Sequence, residues 1–408
     1  MKSLPKFIAE SYDDYLKLSA KDKKKMLELD LEYGKLMLIC RYETYIRNID
    51  NLDEAWEEFE ERHIKNKETY FPEIKHKKLE YEKYDLENKI NKLINNFHDL
   101  DCILSRYYIE VLESALNRIE TIKSVENNTY ELSDRKKHAF KKKDIDKALE
   151  IVRTHPFVKS PNEEKYKHNK TGDVVINKIK DTLKELGYDW EVIINNNMPP
   201  RMGVNPEKTF RIRETAKFSD VDIESLIAHE IKGHVQRRYW GYQTGLFLFV
   251  FGLDGRNLFD EGLAIWNSKN LVESPKPNFL ANIAFSYIAC NYCGKYEFCE
   301  AFDKLKELYK DQHISDKKIF KQLMRAKRST GRTDLPGFWF GDTDYFMGFN
   351  IVDEMTTEER EKIMKWNVGQ STYYLIPTFE KFIKVNEFEP ISNERLNKIK
   401  NNYKDLPK

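Results

Sequence analysis

The sequence predicts an α+β fold in which helix predominates, and three observations lead there. Charged residues make up 34% of the 408 positions against 40% hydrophobic, the balance of a surface-rich helical protein. From about residue 12 to 121 the chain is dense in Glu, Lys, Leu, Ile and Tyr, with almost no Gly or Pro. Extended runs gather in one short stretch, 191–213, which predicts a small antiparallel sheet. Lys and Arg number 69 against 68 Asp and Glu, a net charge of +1. That balance gives no global reason to expect nucleic acid or an anionic membrane as partner.

Taken in order, the first region (1–125) shows apolar residues at helical spacing. Leu27, Leu31 and Leu38 form one set; Ile90, Leu93, Phe97, Leu100 and Leu104 form another. Three or four helices are expected, broken near Tyr70-Phe71-Pro72, as a layer packed on the rest of the protein. Residues 126–170 read as a polar surface segment with the basic run 135–138 and one helix over 144–154. A main domain follows over 171–385: a helix over 174–186 ended by Gly187, then strands at 191–194, 201–204 and 209–213. Asn205-Pro206-Glu207-Lys208 is a four-residue turn with Pro second. Residues 386–408 read as a peripheral polar tail. Residues 1–12 have no apolar core of signal-peptide length, and the longest apolar run, 246–251, is far short of the ~20 residues that span a bilayer. With five cysteines and no disulfide framework, a reducing cytoplasm is the expected location. Cys290, Cys293 and Cys299 lack a second C-x2-C and are expected as small buried hydrophobes.

One stretch carries chemistry. His229 and His234 flank Glu230, and Glu261 follows inside Asp260-Glu261-Gly262-Leu263-Ala264. Two imidazoles and a carboxylate are the ligand set of a hydrolytic zinc site that keeps a position for water. Glu230 is placed to take that water's proton. The histidines are five apart, however, and on a regular helix at about 100° per residue they point roughly 140° apart. Both reach one ion only if the turn between them holds an extra residue, as in a π-bulge. Gly233 is where such a distortion is best tolerated. Ser219 and Asp222 read as a capping box opening this helix, and 258–266 as a second helix that Gly262 allows to lie close.

His-Glu-Ile-x-x-His paired with a Glu-Gly-Leu-Ala helix resembles the family containing the microtubule-associated tyrosine carboxypeptidases, with its bacterial Gln-Glu-Gly-Leu-Ala members. The resemblance runs from roughly Trp190 to Pro377 and takes in Arg325-Ala326-Lys327-Arg328 and Asp342-Thr343-Asp344-Tyr345-Phe346-Met347-Gly348. It implies a zincin-like fold for 171–385, with His229, His234 and Glu261 binding zinc and Glu230 catalytic. The implied reaction is removal of a C-terminal residue, tyrosine or another aromatic, from a peptide or protein tail. Tyr345 is a candidate donor to the oxyanion, and Arg328 and strand Arg213 are candidate holders of the substrate carboxylate. Lys232-Gly233 replaces Gly-Thr, Asp260 stands at a Gln position, Ser268 at an acid position and Gly341 at a lysine position. These departures bear on substrate preference. The histidine spacing also resembles dipeptidyl peptidase III, so dipeptide release or internal cleavage is one alternative. A helical binding module with a structural zinc is the other.

Overall fold

Ser19 Oγ accepts the Asp22 N–H, and α1 (Ala20–Ile39) begins there. The computed structural model describes residues 16–40, 49–76, 85–100, 102–126, 140–196, 201–274 and 276–400. The stretch 1–12 and the basic run 135–138 lie outside the described residues. The expected helical layer is α1, α2 (Leu52–Phe59, running straight into a π turn Glu60–Lys65), α3 (Leu86–His98) and α4 (Ser105–Glu126). The break at Pro72 falls in the non-helical stretch 67–76. Next come α5 (Lys142–Thr154) and α6 (Gly172–Glu185), with Gly187 closing α6 at φ +73°.

The sheet contains β1 (Glu191–Ile194), β2 (Met202–Asn205) and β3 (Thr209–Ile212) in the order β1-β3-β2. It is mixed, not antiparallel as expected. The short turn after Asn205 forces β2 and β3 antiparallel, but β3 then enters between its predecessors and pairs parallel to β1. The connection 195–201 is long enough to carry the chain past that gap, so neighbours in sequence are not neighbours in the sheet. β2 is left as an edge strand.

Beyond the sheet lie α7 (Asp220–His229), a π turn (Glu230–Val235), α8 (Gln236–Gln243), α9 (Phe247–Phe251) and α10 (Asn257–Asn270). Then follow α11 (Phe279–Lys295), α12 (Phe298–Leu308), α13 (Asp316–Lys327), α14 (Asp344–Glu354), α15 (Thr357–Lys365), α16 (Ile376–Asn386) and α17 (Asn393–Lys400).

Two main cores result. One joins α1, α3 and α4 to the sheet, α7–α9 and the C-terminal helices, through residues such as Tyr33, Phe97, Phe210, Ile231, Phe249 and Phe379. The other joins α2, α5 and α11–α13 around Phe59, Phe285, Phe302 and Phe320, with Cys290, Cys293 and Cys299 buried and free. The segment expected as a peripheral tail is built into the first core up to Lys400. Phe388, Ile391, Leu396 and Ile399 are buried, their apolar spacing having been hidden among charges. Arg395 reaches the fully buried Asp30 of α1. That carboxylate also accepts the Tyr108 hydroxyl at 2.7 Å and the Phe247 N–H at 3.0 Å, so one aspartate caps α9 and ties three distant segments.

Candidate metal centre and peptide cleft

The capping box forms as the sequence predicts: the Asp222 N–H donates to Ser219 Oγ at 3.1 Å, and the Ser219 N–H donates to the Asp222 carboxylate. Asp222 does more than cap. Arg201 donates to it in a bidentate pair at 2.9 and 3.1 Å, and Lys276 lies 2.5 Å away. Burial alone would lift this carboxyl, but Arg201 and Lys276 outweigh it and hold Asp222 well below the usual carboxylate range. The helix that carries the histidines is thus pinned at its start.

At its other end the extra residue appears. α7 stops at His229, and Glu230–Val235 is a π turn. The wider turn brings the two imidazole rings to 5.0 Å between centroids and 81° apart. His229 Nε2 lies 3.7 Å and His234 Nε2 3.9 Å from Glu261 Oε2, and the three ligand atoms fall within 4.8 Å of one another. Ligands 2.0–2.1 Å from a tetrahedral ion are separated by about 3.4 Å. Both separations from Glu261 are within about half an ångström of that edge, and with the widest spread at 4.8 Å the donor set fits an ion once the two imidazoles close by up to about 1.4 Å.

Gly233 lies inside the widened turn, as expected, and it has a second role there. Its φ is not positive; what matters is its missing side chain, since a Cβ there would sit 3.0 Å from that of Ala264 on α10. Asn267 donates to the Lys232 carbonyl at 2.9 Å and Ser268 to the Ser225 carbonyl at 3.0 Å, bracing α10 on the histidine helix. Gly262 faces the opposite way. A Cβ on it would meet the Gly348 backbone at 2.4 Å, so it serves the crossing of α10 with α14.

Electrostatics favour a cation at this point. Burial pulls His229 down to about 4, leaving a neutral imidazole. Burial pushes His234 the same way, but Asp260, Glu261 and Glu230 outweigh it and raise that ring to about 9. Asp260 Oδ1 stands 3.0 Å from His234 Nδ1. The carboxylates that would hold a proton there also suit a metal ion.

A cavity of about 620 Å³ opens over the centre. Its wall includes the whole of β2, Arg211, Arg238 and Arg256, and from the N-terminal helices Met37, Val111 and Arg118. Tyr345, at the start of α14, lines it as well. Two predicted residues do not. Arg213 lies just past the end of β3 and outside the lining, while Arg211 within β3 is in it. Arg328 is buried, and its guanidinium donates to Asp342 at 2.9 Å. Arg325, one turn earlier, donates to the same oxygen at 3.0 Å and lies over the Tyr345 ring. This pair of arginines grips the aspartate at the head of α14 instead of facing the cavity.

The family model of the microtubule-associated tyrosine carboxypeptidases matches residues 59–391, most of the chain. The chain belongs to that family. No individual curated protein matches the chain significantly. The matched span holds the whole donor set, the sheet and Tyr345, while α1 and α17 fall outside it. Met37 of α1 therefore extends the cavity wall of this member beyond the family match. Among the described residues, no helix is long and apolar enough to cross a membrane. Sequence reasoning missed Asp260, Arg237 and Arg211 as parts of the site. The first two carry a weak signal, since Arg237 follows His234 by three and Asp260 precedes Glu261 by one. Arg211 lies two residues from the expected Arg213, and nothing local in the sequence separates the two.

Proposed function

We propose that the protein is a zinc-dependent cytoplasmic carboxypeptidase of zincin-like fold, removing a C-terminal residue, tyrosine or another aromatic, from a peptide or protein tail. The observation that supports this reading best is the convergence of His229, His234 and Glu261 beside Glu230, on a cavity walled by the edge strand β2. These three residues would hold the zinc, which when bound acidifies a water toward neutrality and polarises the scissile carbonyl.

The protein's own groups do the rest. The Glu230 carboxylate takes the water's proton and returns it to the departing amine. The Tyr345 hydroxyl donates to the carbonyl oxygen as negative charge develops there. The outer edge of β2, which no strand among the described residues pairs with, aligns the substrate as an added strand, presenting its last residues to the centre. Arg211 is the guanidinium best placed to meet the terminal carboxylate, in preference to Arg213 and Arg328, with Arg118 and Arg238 adding positive lining. Met37, Val111, Phe251 and Leu253 offer an apolar wall for an aromatic side chain.

The test is mass spectrometry of a mixed peptide set incubated with zinc-loaded protein beside Glu230→Gln. Loss of one C-terminal residue, absent in the variant, supports the proposal. Loss of N-terminal dipeptides or internal cleavage replaces it with another peptidase mode. A zinc-bound protein inert towards all peptides and tails supplied, with a fourth protein ligand on the ion, replaces it with a binding module.

A further inference from the structure

Asp260 has no step in the reaction above, yet it is the most heavily invested carboxylate near the centre. Its side chain is 10% exposed. Oδ1 faces His234 Nδ1 at 3.0 Å and Arg237 Nη1 at 3.3 Å, and Oδ2 accepts from Arg256 Nη1 at 3.0 Å. Arg237 is itself 1% exposed, and its other terminal nitrogen donates to the Trp366 carbonyl at 3.3 Å. Arg256 sits one turn before Asp260, at the start of the same helix. The carboxylate is thus fixed from the histidine helix, through His234 and Arg237, and from its own helix, through Arg256, while the Trp366 carbonyl holds Arg237 in place.

An ionised carboxylate only accepts hydrogen bonds. Facing Nδ1, it requires the proton on that nitrogen and leaves the Nε2 lone pair turned toward Glu261. Partners of this kind orient a ligating imidazole and increase its basicity. A simpler account exists: Asp260 only neutralises the buried Arg237, because an unpaired cation inside a protein is strongly destabilising. The two accounts differ in what happens when both charges are removed together.

We infer that Asp260 is a positioning residue, locked by Arg237 and Arg256, that sets the tautomer and orientation of His234 and through it the ion affinity of the centre. The inference rests on the zinc reading above. It is tested on the full chain with zinc alone, by competition against a chromophoric chelator, and by the visible spectrum of the cobalt-substituted protein. Asp260→Asn is expected to weaken zinc binding about 10–100-fold and to alter the cobalt bands. Combining it with Arg237→Met removes the orphaned cation; thermal stability is expected to recover while zinc affinity stays low. Affinity that returns with stability in the double variant would reduce Asp260 to a counter-ion and overturn the inference, as would wild-type affinity in Asp260→Asn. A wild-type chain that binds no zinc sinks the metal reading itself, and this inference with it. Wild-type binding with an unaffected variant sinks the positioning role alone.

Discussion

Gly348→Ala tests how closely the catalytic arrangement depends on two helices packed backbone to backbone. A Cβ at position 348 would lie 2.0 Å from the Leu258 carbonyl oxygen, against the 3.4 Å at which ordinary contact begins. α14 must therefore retreat from α10 by about 1 Å, because the obstruction is backbone with no rotamer to change. α10 does not yield, being braced on the histidine helix by Asn267, Ser268 and the Gly233–Ala264 contact. Overpacking of this kind costs about 1–3 kcal/mol, and alanine's helix propensity returns about 1 kcal/mol. With part of the Phe259–Leu263–Val352 cluster loosened as well, a net loss of about 2 kcal/mol follows. At about 2.1 cal/mol/K of unfolding entropy per residue, that lowers the melting temperature of this chain by only about 2–3 °C. Activity should suffer far more. Tyr345 rides on α14 one turn from the substitution, and a displacement of about 1 Å at a reacting centre costs about 10²-fold. The expected pattern is a small fall in melting temperature, unchanged zinc affinity and about a hundredfold lower kcat on a cleaved peptide. A variant melting at or above wild type with unchanged kcat would refute the reasoning.

Three further outcomes are expected. Asp222→Asn should destabilise the protein by about 2–3 kcal/mol at pH 7, since it strips Arg201 and Lys276 of a buried partner. The folded carboxyl is held below its unfolded value near 3.9, so its contribution is complete above that pH and fades as pH falls through the folded value. Urea titrations at pH 7 and at acid pH should accordingly show the gap between variant and wild type narrowing in acid. Arg395→Met leaves Asp30 without its ionic partner and should lower stability by about 3 kcal/mol without shifting KM; a shifted KM in a protein of unchanged stability would contradict the assignment. Arg211→Ala should raise KM about tenfold or more, whereas Arg328→Met should lower the melting temperature through the loss of its bond to buried Asp342 and leave KM unchanged. The reverse pattern would return Arg328 to the substrate.

What the sequence revealed about the site was what local geometry encodes. The capping box and the histidine spacing each involve residues within one or two turns, so angle arithmetic alone called for the widened turn that Glu230–Val235 forms. Glu261 was legible because its motif is short and contiguous. Strand order was not legible, because the parallel partnership of β1 with β3 depends on where a connecting loop crosses space. Arg211 lies in β3 and Arg213 just past its end, two residues apart and chemically identical in the sequence; only the position of the cavity separates them. The burial of Leu396 and Ile399 depends on α1, more than 350 residues earlier, and no periodicity within so short a charged helix announces it.

That last contact has a consequence for the protein's biosynthesis. Asp30 and Arg395 are separated by 365 positions, so throughout translation α1 exists before the cation that neutralises its buried carboxylate. Until the C-terminal helix arrives, Asp30 must stay hydrated and the apolar face of α1, with the cavity-lining Met37, remains in water or in the hands of a chaperone. Closing so long a loop makes this pairing a late folding event. The histidine helix packs its Ile227, Ile231 and Val235 into that same core, so the donor set and the Met37 wall of the cavity are both completed only when this late pairing closes.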